Sequence, residues 1–246
     1  MPVDNDWYHH LGDAWWDPDG VIAPLHEINP TRVAYFCDAL GPLGDKRILE
    51  LGCGGGLMAE EYARRGALVA GIDRSRPSLR VAHQHASSGG LRIDYVGSLA
   101  EQLPFPDGAF DAVVTADTLE HVEDVEQVVA EAARVLQPGG CFVYDTINRT
   151  WKSRLLLVWL PQRIFRIAPP DTHDYERFIK PQELHVLLAR HGLTNRETRG
   201  LPLQRHPLAA ALSYARTRRL GGFVIGDDLA MSYVGYAVKA DPIAVS

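Results

Sequence analysis

The chain has 246 residues, 46% of them hydrophobic, and a formal net charge of −6. This length and apolar content are enough to bury a sizeable core, which excludes a disordered or fibrous chain, and the acidic balance argues against a general nucleic-acid binder. The three cysteines, Cys37, Cys53 and Cys141, lie far apart without a CxxC pair. Neither a disulfide framework nor a zinc ribbon is therefore indicated, and a reducing, cytoplasmic location is expected.

The elements in chain order predict an α/β fold. The first 13 residues lack the basic start and apolar core of a signal peptide, and no apolar run approaches the roughly 18 residues that span a bilayer. Strands are expected at 46–51, 68–73, 91–96, 112–115 and 141–146, and helices at 57–65, 75–87 and 125–136. The segment 137–140 (QPGG) should stop the last of these helices and turn the chain into the next strand. Such alternation predicts a parallel sheet with crossover helices.

The second half of the chain changes in character after residue 148. Residues 149–180 hold seven basic and three acidic side chains, which is typical of an insertion, and a helix at 181–191 with strands at 193–199 and 232–239 would complete the sheet. We therefore expect a doubly wound, mostly parallel seven-stranded sheet with an inserted lid. The predicted regions are an N-terminal helical cap (1–45), a ligand-binding core (46–148), a lid or membrane-facing insertion (149–180) and a C-terminal completion with the substrate region (181–246).

A glycine-rich turn follows the first predicted strand. Its spacing is Glu50-x-Gly52-x-Gly54-x-Gly56, and Asp73 ends the second strand 21 residues after Gly52. Such a turn lets a ligand approach the backbone at the start of a helix, and an acidic side chain at the second strand end can accept both hydroxyls of a ribose. Leu57 stands where a dinucleotide fingerprint requires glycine. The pattern therefore indicates a nucleoside-type ligand, with a plain tight turn as the alternative.

These residues resemble the class I S-adenosylmethionine-dependent methyltransferases. Beside the glycine motif, residues 103–111 (LPFPDGAFD) and 135–140 (VLQPGG) are similar to the connectors into the fourth and fifth strands of that superfamily. A narrower resemblance is to the polyprenyl dihydroxybenzene O-methyltransferases of ubiquinone biosynthesis, also called 3-demethylubiquinone O-methyltransferases. It rests on residues 15–17 (WWD), 24–32 (PLHEINPTR), 120–122 (EHV), 148–149 (NR), 152–153 (KS), 172–174 (THD) and 178–181 (FIKP).

The resemblance implies that the cofactor is S-adenosylmethionine and which residues bind it. Arg32 would reach the methionine carboxylate, for which a forked guanidinium is suited, and Asp73 would hold the ribose. The other implied cofactor residues are Gly52, Cys53, Gly54, Arg74, Leu99, Ala100 and Ala116. Ala116 stands where the family usually has Met, so a backbone contact is expected there. An alternative for Arg32 is a surface salt bridge.

The stretch 116–124 (ADTLEHVED) combines four carboxylates with one imidazole. Asp117, Glu120 and His121 match the E-x-x-E-H motif of the family, which implies a site for Mg²⁺ or a similar hard cation, with Asp in place of the first Glu. The alternative is that these carboxylates only favour the N-terminus of the next helix. Since a phenol must lose its proton, a base is also expected, and the candidates are His121, His26 and His173.

The predicted activity is O-methyl transfer to a phenol or catechol of a quinone-precursor or polyketide-like aromatic. The alternatives are a C- or N-methyltransferase of a small molecule and a non-catalytic S-adenosylmethionine-binding assembly protein. Residues 151–167 hold four basic residues, no acid and large apolar side chains, which indicates peripheral membrane contact or a lid over a greasy substrate, with packing onto the sheet as the alternative. The expected partner is a small aromatic, which a prenyl group can extend; no nucleic acid is expected, and the oligomeric state is not predicted.

Overall fold

One seven-stranded sheet organises the chain in a computed structural model that describes residues 5–158, 174–217 and 219–241. Its order is β3-β2-β1-β4-β5-β7-β6, and β7 runs antiparallel to both of its neighbours. The strands are β1 (Arg47–Leu51), β2 (Leu68–Asp73), β3 (Ile93–Gly97), β4 (Phe110–Thr115), β5 (Leu136–Ile147), β6 (Leu193–Gly200) and β7 (Ser232–Lys239). The predicted doubly wound, mostly parallel sheet is confirmed.

Helices connect the strands and begin where the sequence offers caps. The helices are α1 (Ala23–Leu40), α2 (Leu57–Arg64), α3 (Arg76–Ser88), α4 (Val125–Val135), α5 (Trp151–Ser153), α6 (Pro181–Arg190) and α7 (Pro207–Thr217). The Ser75 hydroxyl accepts the N–H of Ser78 to cap α3, and the Asp124 carboxylate accepts the N–H of Gln127 to cap α4. Three of the short 3-10 helices, Asn5–His10, Gly12–Trp16 and Leu119–His121, border the site described below.

Two strands begin earlier than the sequence predicts. Phe110 pairs with Leu136, and the register then shifts so that Ala112 pairs with Cys141. The expected turn at 137–140 is therefore a bulge within β5, because the pairing resumes on the same neighbouring strand after these residues. The helix α7 was not predicted at all.

The core lies on both faces of the sheet. On one face, Val128 and Val129 of α4 pack with Leu184 of α6, and on the other, Phe36 of α1 packs with Tyr62 of α2. The predicted division of the chain into four regions, with boundaries after residues 45, 148 and 180, stays a prediction. Residues 159–173 of the predicted insertion lie outside the described residues. No helix in the described ranges is long and apolar enough to cross a membrane.

Candidate active site

A cavity of about 1930 Å³ runs along the carboxyl edge of the sheet. Residues that follow or end four of the strands line it, including Gly52 after β1, Asp73 of β2, Ala116 after β4 and Ile147 of β5. Open α/β sheets bind ligands at this edge, because the connections on either side of the sheet diverge there. All nine predicted cofactor residues line this cavity: Arg32, Gly52, Cys53, Gly54, Asp73, Arg74, Leu99, Ala100 and Ala116.

The Asp73 carboxylate ties the two strand ends together. Its Oδ2 accepts the N–H of Gly54 at 2.9 Å, and its Oδ1 accepts the N–H of Ser75 at 2.7 Å. Burial raises the pKa of Asp73, and these two bonds oppose that rise. A carboxylate has about four acceptor positions, so the capacity to accept two further donors remains. That is the number a ribose diol supplies.

The glycine-rich turn is shaped by a close aromatic neighbour. Gly54 has a left-handed φ of 51°, and a Cβ at this position would lie 2.5 Å from Cη2 of Trp15. The Trp15 indole N–H donates to the Ser78 hydroxyl at 3.1 Å, and the Tyr8 ring stacks on the Trp15 ring with centroids 5.9 Å apart. Both aromatic residues line the cavity, and their place in it was missed by the sequence analysis, which used Trp15 only as part of the WWD motif.

The predicted adenine side of the cavity is apolar. Leu99 exposes 52% of its surface although it is a large hydrophobic residue, and Ala100 beside it is buried. An exposed leucine that lines a cavity offers apolar contact to a ligand, as expected for this position.

Arg32 lies in a buried ion-pair cluster. Its Nη2 donates to Oδ1 of Asp117 at 2.6 Å and to Oδ1 of Asp145 at 2.8 Å, and its Nη1 donates to Oδ1 of Asn29 at 3.3 Å. Arg32 is 3% exposed, so the ion pair is not the surface salt bridge of the alternative interpretation. Its Nε has no partner among the described residues. The cluster therefore holds one cation among several carboxylates at the cavity wall.

Two of the carboxylates around this cation, Asp145 and Glu120, are perturbed by burial. Burial, more than the neighbouring charges, raises the pKa of Asp145 to about 7 and that of Glu120 to about 8. Oε2 of Glu120 accepts the Thr146 hydroxyl at 2.8 Å. The backbone of Asp117 has a φ of 47°, in the left-handed region, and its N–H donates to Asp145 at 3.3 Å. The left-handed backbone of Asp117 stores strain, and burial disfavours full ionisation of the neighbouring carboxylates.

The predicted metal ligands do not converge. The Asp117 carboxylate is directed at Arg32 and the Glu120 carboxylate at Thr146. No group of three His, Cys, Asp or Glu side chains that could hold a metal ion exists among the described residues. As arranged here, the donor set does not fit a hard cation, which needs several oxygen ligands directed at one point.

The three candidate bases lie in different surroundings. His121 lines the cavity, and its ring meets the Tyr8 ring edge to face with centroids 6.1 Å apart. His26 is absent from the lining, and its Nε2 is bonded to the Trp15 carbonyl oxygen at 2.9 Å. His173 lies outside the described residues. The described residues thus place one of the three, His121, at the cavity.

The apolar part of the cavity lies against the predicted substrate region (181–246), in which the sequence indicates no individual residues. It is lined by residues of α7, of the loop before β7 and of the segment after β6: Leu201, Leu203, Pro207, Ala210, Ala211, Tyr214, Ala215, Leu220 and Phe223. Leu156 and Leu157, after α5, join this wall. The sequence signal for this wall is the Ala- and Leu-rich composition of residues 206–235, which is compatible with a helix that has an apolar face.

Comparison with known proteins places this geometry in a family. The family described as "Methyltransferase domain" matches residues 49–144, which contain the glycine turn and Asp73. A "Ubiquinone biosynthesis O-methyltransferase" of Chromobacterium violaceum is 40% identical over 240 residues, covering 96% of each chain. The protein of the same description from Thiobacillus denitrificans is 42% identical over 195 residues, covering 79% of this chain and 84% of its own. The chain belongs to the ubiquinone biosynthesis O-methyltransferase family.

Solved structures agree with the fold of the family. A possible histamine N-methyltransferase from Thermotoga maritima, described as S-adenosylmethionine (SAM)-dependent, superposes with a TM-score of 0.64 at 19% identity, covering 94% of this chain and 98% of its own. A magnesium protoporphyrin IX methyltransferase from Synechocystis, solved with bound SAH, has a TM-score of 0.61 at 19% identity, covering 86% and 82%. The relatives named as O-methyltransferases, together with the matched methyltransferase domain, show that the chain is an S-adenosylmethionine-dependent O-methyltransferase. The predicted activity and the cofactor S-adenosylmethionine are confirmed, and the divalent cation stays a prediction. The C- or N-methyltransferase and the assembly protein are not favoured.

Proposed function

We propose that this enzyme methylates a phenol or catechol hydroxyl on a quinone precursor that carries a long apolar tail. The observation that carries the proposal is that one cavity is lined both by the Asp73 carboxylate and by apolar residues of α7 together with Leu156. The relatives from C. violaceum and T. denitrificans, named for ubiquinone biosynthesis, support the same acceptor class. A small polar acceptor would leave the apolar wall in contact with water.

The cofactor end can hold S-adenosylmethionine, which supplies an electrophilic methyl group when bound. Asp73 has acceptor positions left for the ribose hydroxyls, and the glycine turn brings its backbone close to the ligand. Leu99 offers apolar contact to the adenine. Arg32 lies at the cavity wall with its Nε unpaired among the described residues, and it is the proposed partner of the methionine carboxylate.

At the acceptor, the protein has to align one oxygen and remove one proton. Because methyl transfer is an in-line displacement, most of the rate enhancement comes from holding the acceptor oxygen on the methyl axis. We assign His121 as the general base that takes the phenol proton, since it lines the cavity from the short helix that follows β4. No step is assigned to a metal ion, because the carboxylates of Asp117 and Glu120 are directed elsewhere.

The metal requirement nevertheless stays a prediction of the E-x-x-E-H resemblance, and a chelator decides it. Turnover by protein treated with EDTA and then desalted is compared with turnover after Mg²⁺ is added back. Unchanged turnover would leave His121 as the base without a metal, whereas loss and recovery would overturn that assignment.

The proposal extends to peripheral contact with a membrane through the predicted segment 151–167, of which residues 151–158 are described. Trp151 exposes 70% and Leu155 exposes 37% of its surface, whereas Leu156 and Leu157 line the cavity. An apolar segment that is exposed at the protein surface and also lines the cavity supports passage of a lipid tail from a bilayer into the cavity. Flotation with vesicles of anionic phospholipid tests this contact, and Trp151→Ala should weaken it. Absence of flotation would contradict membrane contact and would leave a lid over the substrate as the role of the segment.

The experiment that tests the function uses labelled S-adenosylmethionine and two catechols, one bearing a polyprenyl tail and one without. The tailed catechol should have the higher kcat/KM, and the product should carry the label on a ring oxygen. Cofactor binding with no turnover of either catechol, or equal kcat/KM for both, would overturn the proposal.

A further inference from the structure

A carboxylate of α1 holds the loop that closes the apolar end of the cavity. Oε2 of Glu27 accepts the N–H of Leu220 at 2.6 Å, and its Oε1 accepts the N–H groups of Gly221 and Gly222 at 2.6 and 2.7 Å. Three successive amides directed at one anion form a nest. Hydrogen bonds to an ionised acceptor are roughly twice as strong as neutral ones, so this contact fixes the loop firmly.

The same loop is part of the cavity wall. Leu220 and Phe223 both line the cavity. The Thr31 hydroxyl, one helical turn after Glu27, donates to the Phe223 carbonyl oxygen at 3.1 Å. The helix α1 therefore anchors the loop at two points, and its own Ile28 faces the cavity beside them. The position of the two wall side chains depends on these anchors.

This wall lies several strands away from Asp73 in the sheet, although its anchor Thr31 directly precedes the cofactor residue Arg32 on α1. The loop leads into β7, which pairs with β5, whereas Asp73 ends β2. In the order β2-β1-β4-β5-β7, three strands separate β2 from β7, and adjacent strands lie about 4.8 Å apart. A disturbance of the loop should therefore affect the acceptor tail more than the ribose contact of Asp73.

We propose that Glu27 is a positioning residue that sets the affinity of the enzyme for the apolar tail of its acceptor. The carboxylate acts through the loop at 219–223 and does not touch the acceptor. This inference rests on the proposed function, because it assumes a tailed acceptor. In this proposal Glu27 affects the binding of the apolar tail, and it affects neither the binding of the aromatic head nor that of the cofactor.

The variant Glu27→Gln separates the effect of the hydrogen bonds in the nest from the effect of side-chain volume. A glutamine amide has one acceptor oxygen, and its NH₂ group would face a backbone N–H, so the nest loses part of its bonding at nearly constant volume. Asp19→Asn is the matched control. It removes the bond from Arg219 to Asp19, at 2.9 Å, from the same loop, but both of these side chains are more than half exposed. Exposed pairs contribute little.

The test measures KM for the tailed and the tail-less catechol at saturating S-adenosylmethionine. Glu27→Gln should raise KM for the tailed catechol at least about fivefold, which corresponds to roughly 1 kcal/mol. KM for the tail-less catechol and the Kd of the cofactor should stay within about twofold, and Asp19→Asn should change none of the three. The milder variant Thr31→Val should shift KM in the same direction by less, and it decides the question if Glu27→Gln does not fold.

The outcomes separate this inference from the function on which it rests. An unchanged KM for the tailed catechol, or an equal rise for both catechols, overturns the role of Glu27 while the function stands. If the unmodified enzyme methylates neither catechol, or does not prefer the tailed one, the proposed function falls and this inference falls with it.

Discussion

Arg32 and Asp117 are 85 residues apart in sequence, yet Nη2 of the arginine lies 2.6 Å from Oδ1 of the aspartate. The same nitrogen donates to Asp145, which is fully buried, so one cation serves two carboxylates. Burying a charge without a partner costs several kcal/mol, because hydration is lost and nothing replaces it. The stability of this end of the cavity therefore depends on Arg32.

Replacing Arg32 with methionine should lower the free energy of unfolding by about 3–5 kcal/mol at pH 8, since two carboxylates lose their cation. The loss should be smaller at pH 5, where the carboxylates of the variant can take up protons. Urea unfolding at both pH values measures it. Arg47→Met is the control, because its pair with Asp111 is largely exposed and should cost at most about 1 kcal/mol. A loss equal to that of the control would contradict a structural role for the buried cluster.

The proposed ribose contact of Asp73 predicts a selective loss of cofactor affinity. Asp73→Ala should weaken the binding of S-adenosylmethionine by roughly 1–3 kcal/mol, because it removes the acceptor of the ribose hydroxyls and the acceptor of the Gly54 N–H. Calorimetric titration measures the Kd. Asp94→Ala, an exposed carboxylate on the neighbouring strand, serves as the control and should bind normally. An unchanged Kd in the Asp73 variant would contradict the ribose role.

His121, assigned as the base, should affect turnover and leave binding intact. His121→Ala is expected to reduce kcat by about 10²–10⁴, the range that general bases contribute, with a Kd for the cofactor within twofold. Single-turnover rates and calorimetry separate the two effects. His83→Ala, an exposed histidine on α3, is the control. Parallel losses of kcat and of cofactor affinity would show that His121 is structural.

The cofactor end could be predicted from the sequence because its signals are local. The glycine turn and Asp73 each follow an apolar strand, and parallel strands bring their carboxyl ends to one edge. The partners of Arg32 could not be predicted in this way. Its contact with Asp145 spans 113 residues, and nothing in the spacing shows that Asp117 is directed at Arg32 and away from Glu120. The resemblance supplied Arg32, Asp117 and Glu120, but it supplied neither Asp145 nor the arrangement of the cluster.

The individual residues of the acceptor end escaped prediction for a different reason. The helix α7 was not predicted, and the nest around Glu27 joins residues nearly 200 positions apart. In the sequence, Glu27 is one acidic residue of the predicted N-terminal helical cap. Neither periodicity nor charge patterning distinguishes it from a solvated side chain.

The last prediction concerns Glu50, whose side chain lines the cavity. It is 6% exposed, and its Oε2 has no hydrogen-bond partner among the described residues. Burial, followed by the charge of Asp73, raises its pKa from 4.5 to about 8. Between these two values the unfolded chain releases the proton and the folded chain retains it. Rising pH therefore favours the unfolded state, by up to about 1.4 kcal/mol per pH unit.

Glu50→Gln removes this titration at nearly constant volume. In cofactor-free protein, the free energy of unfolding of the variant, relative to the unmodified enzyme, should rise by about 2 kcal/mol between pH 6 and pH 8. Urea unfolding at the two pH values measures the difference. Asp94→Asn, an exposed carboxylate on β3, should show no such trend, because its side chain faces solvent. A constant difference between Glu50→Gln and the unmodified enzyme would mean that Glu50 is ionised in the folded state at neutral pH.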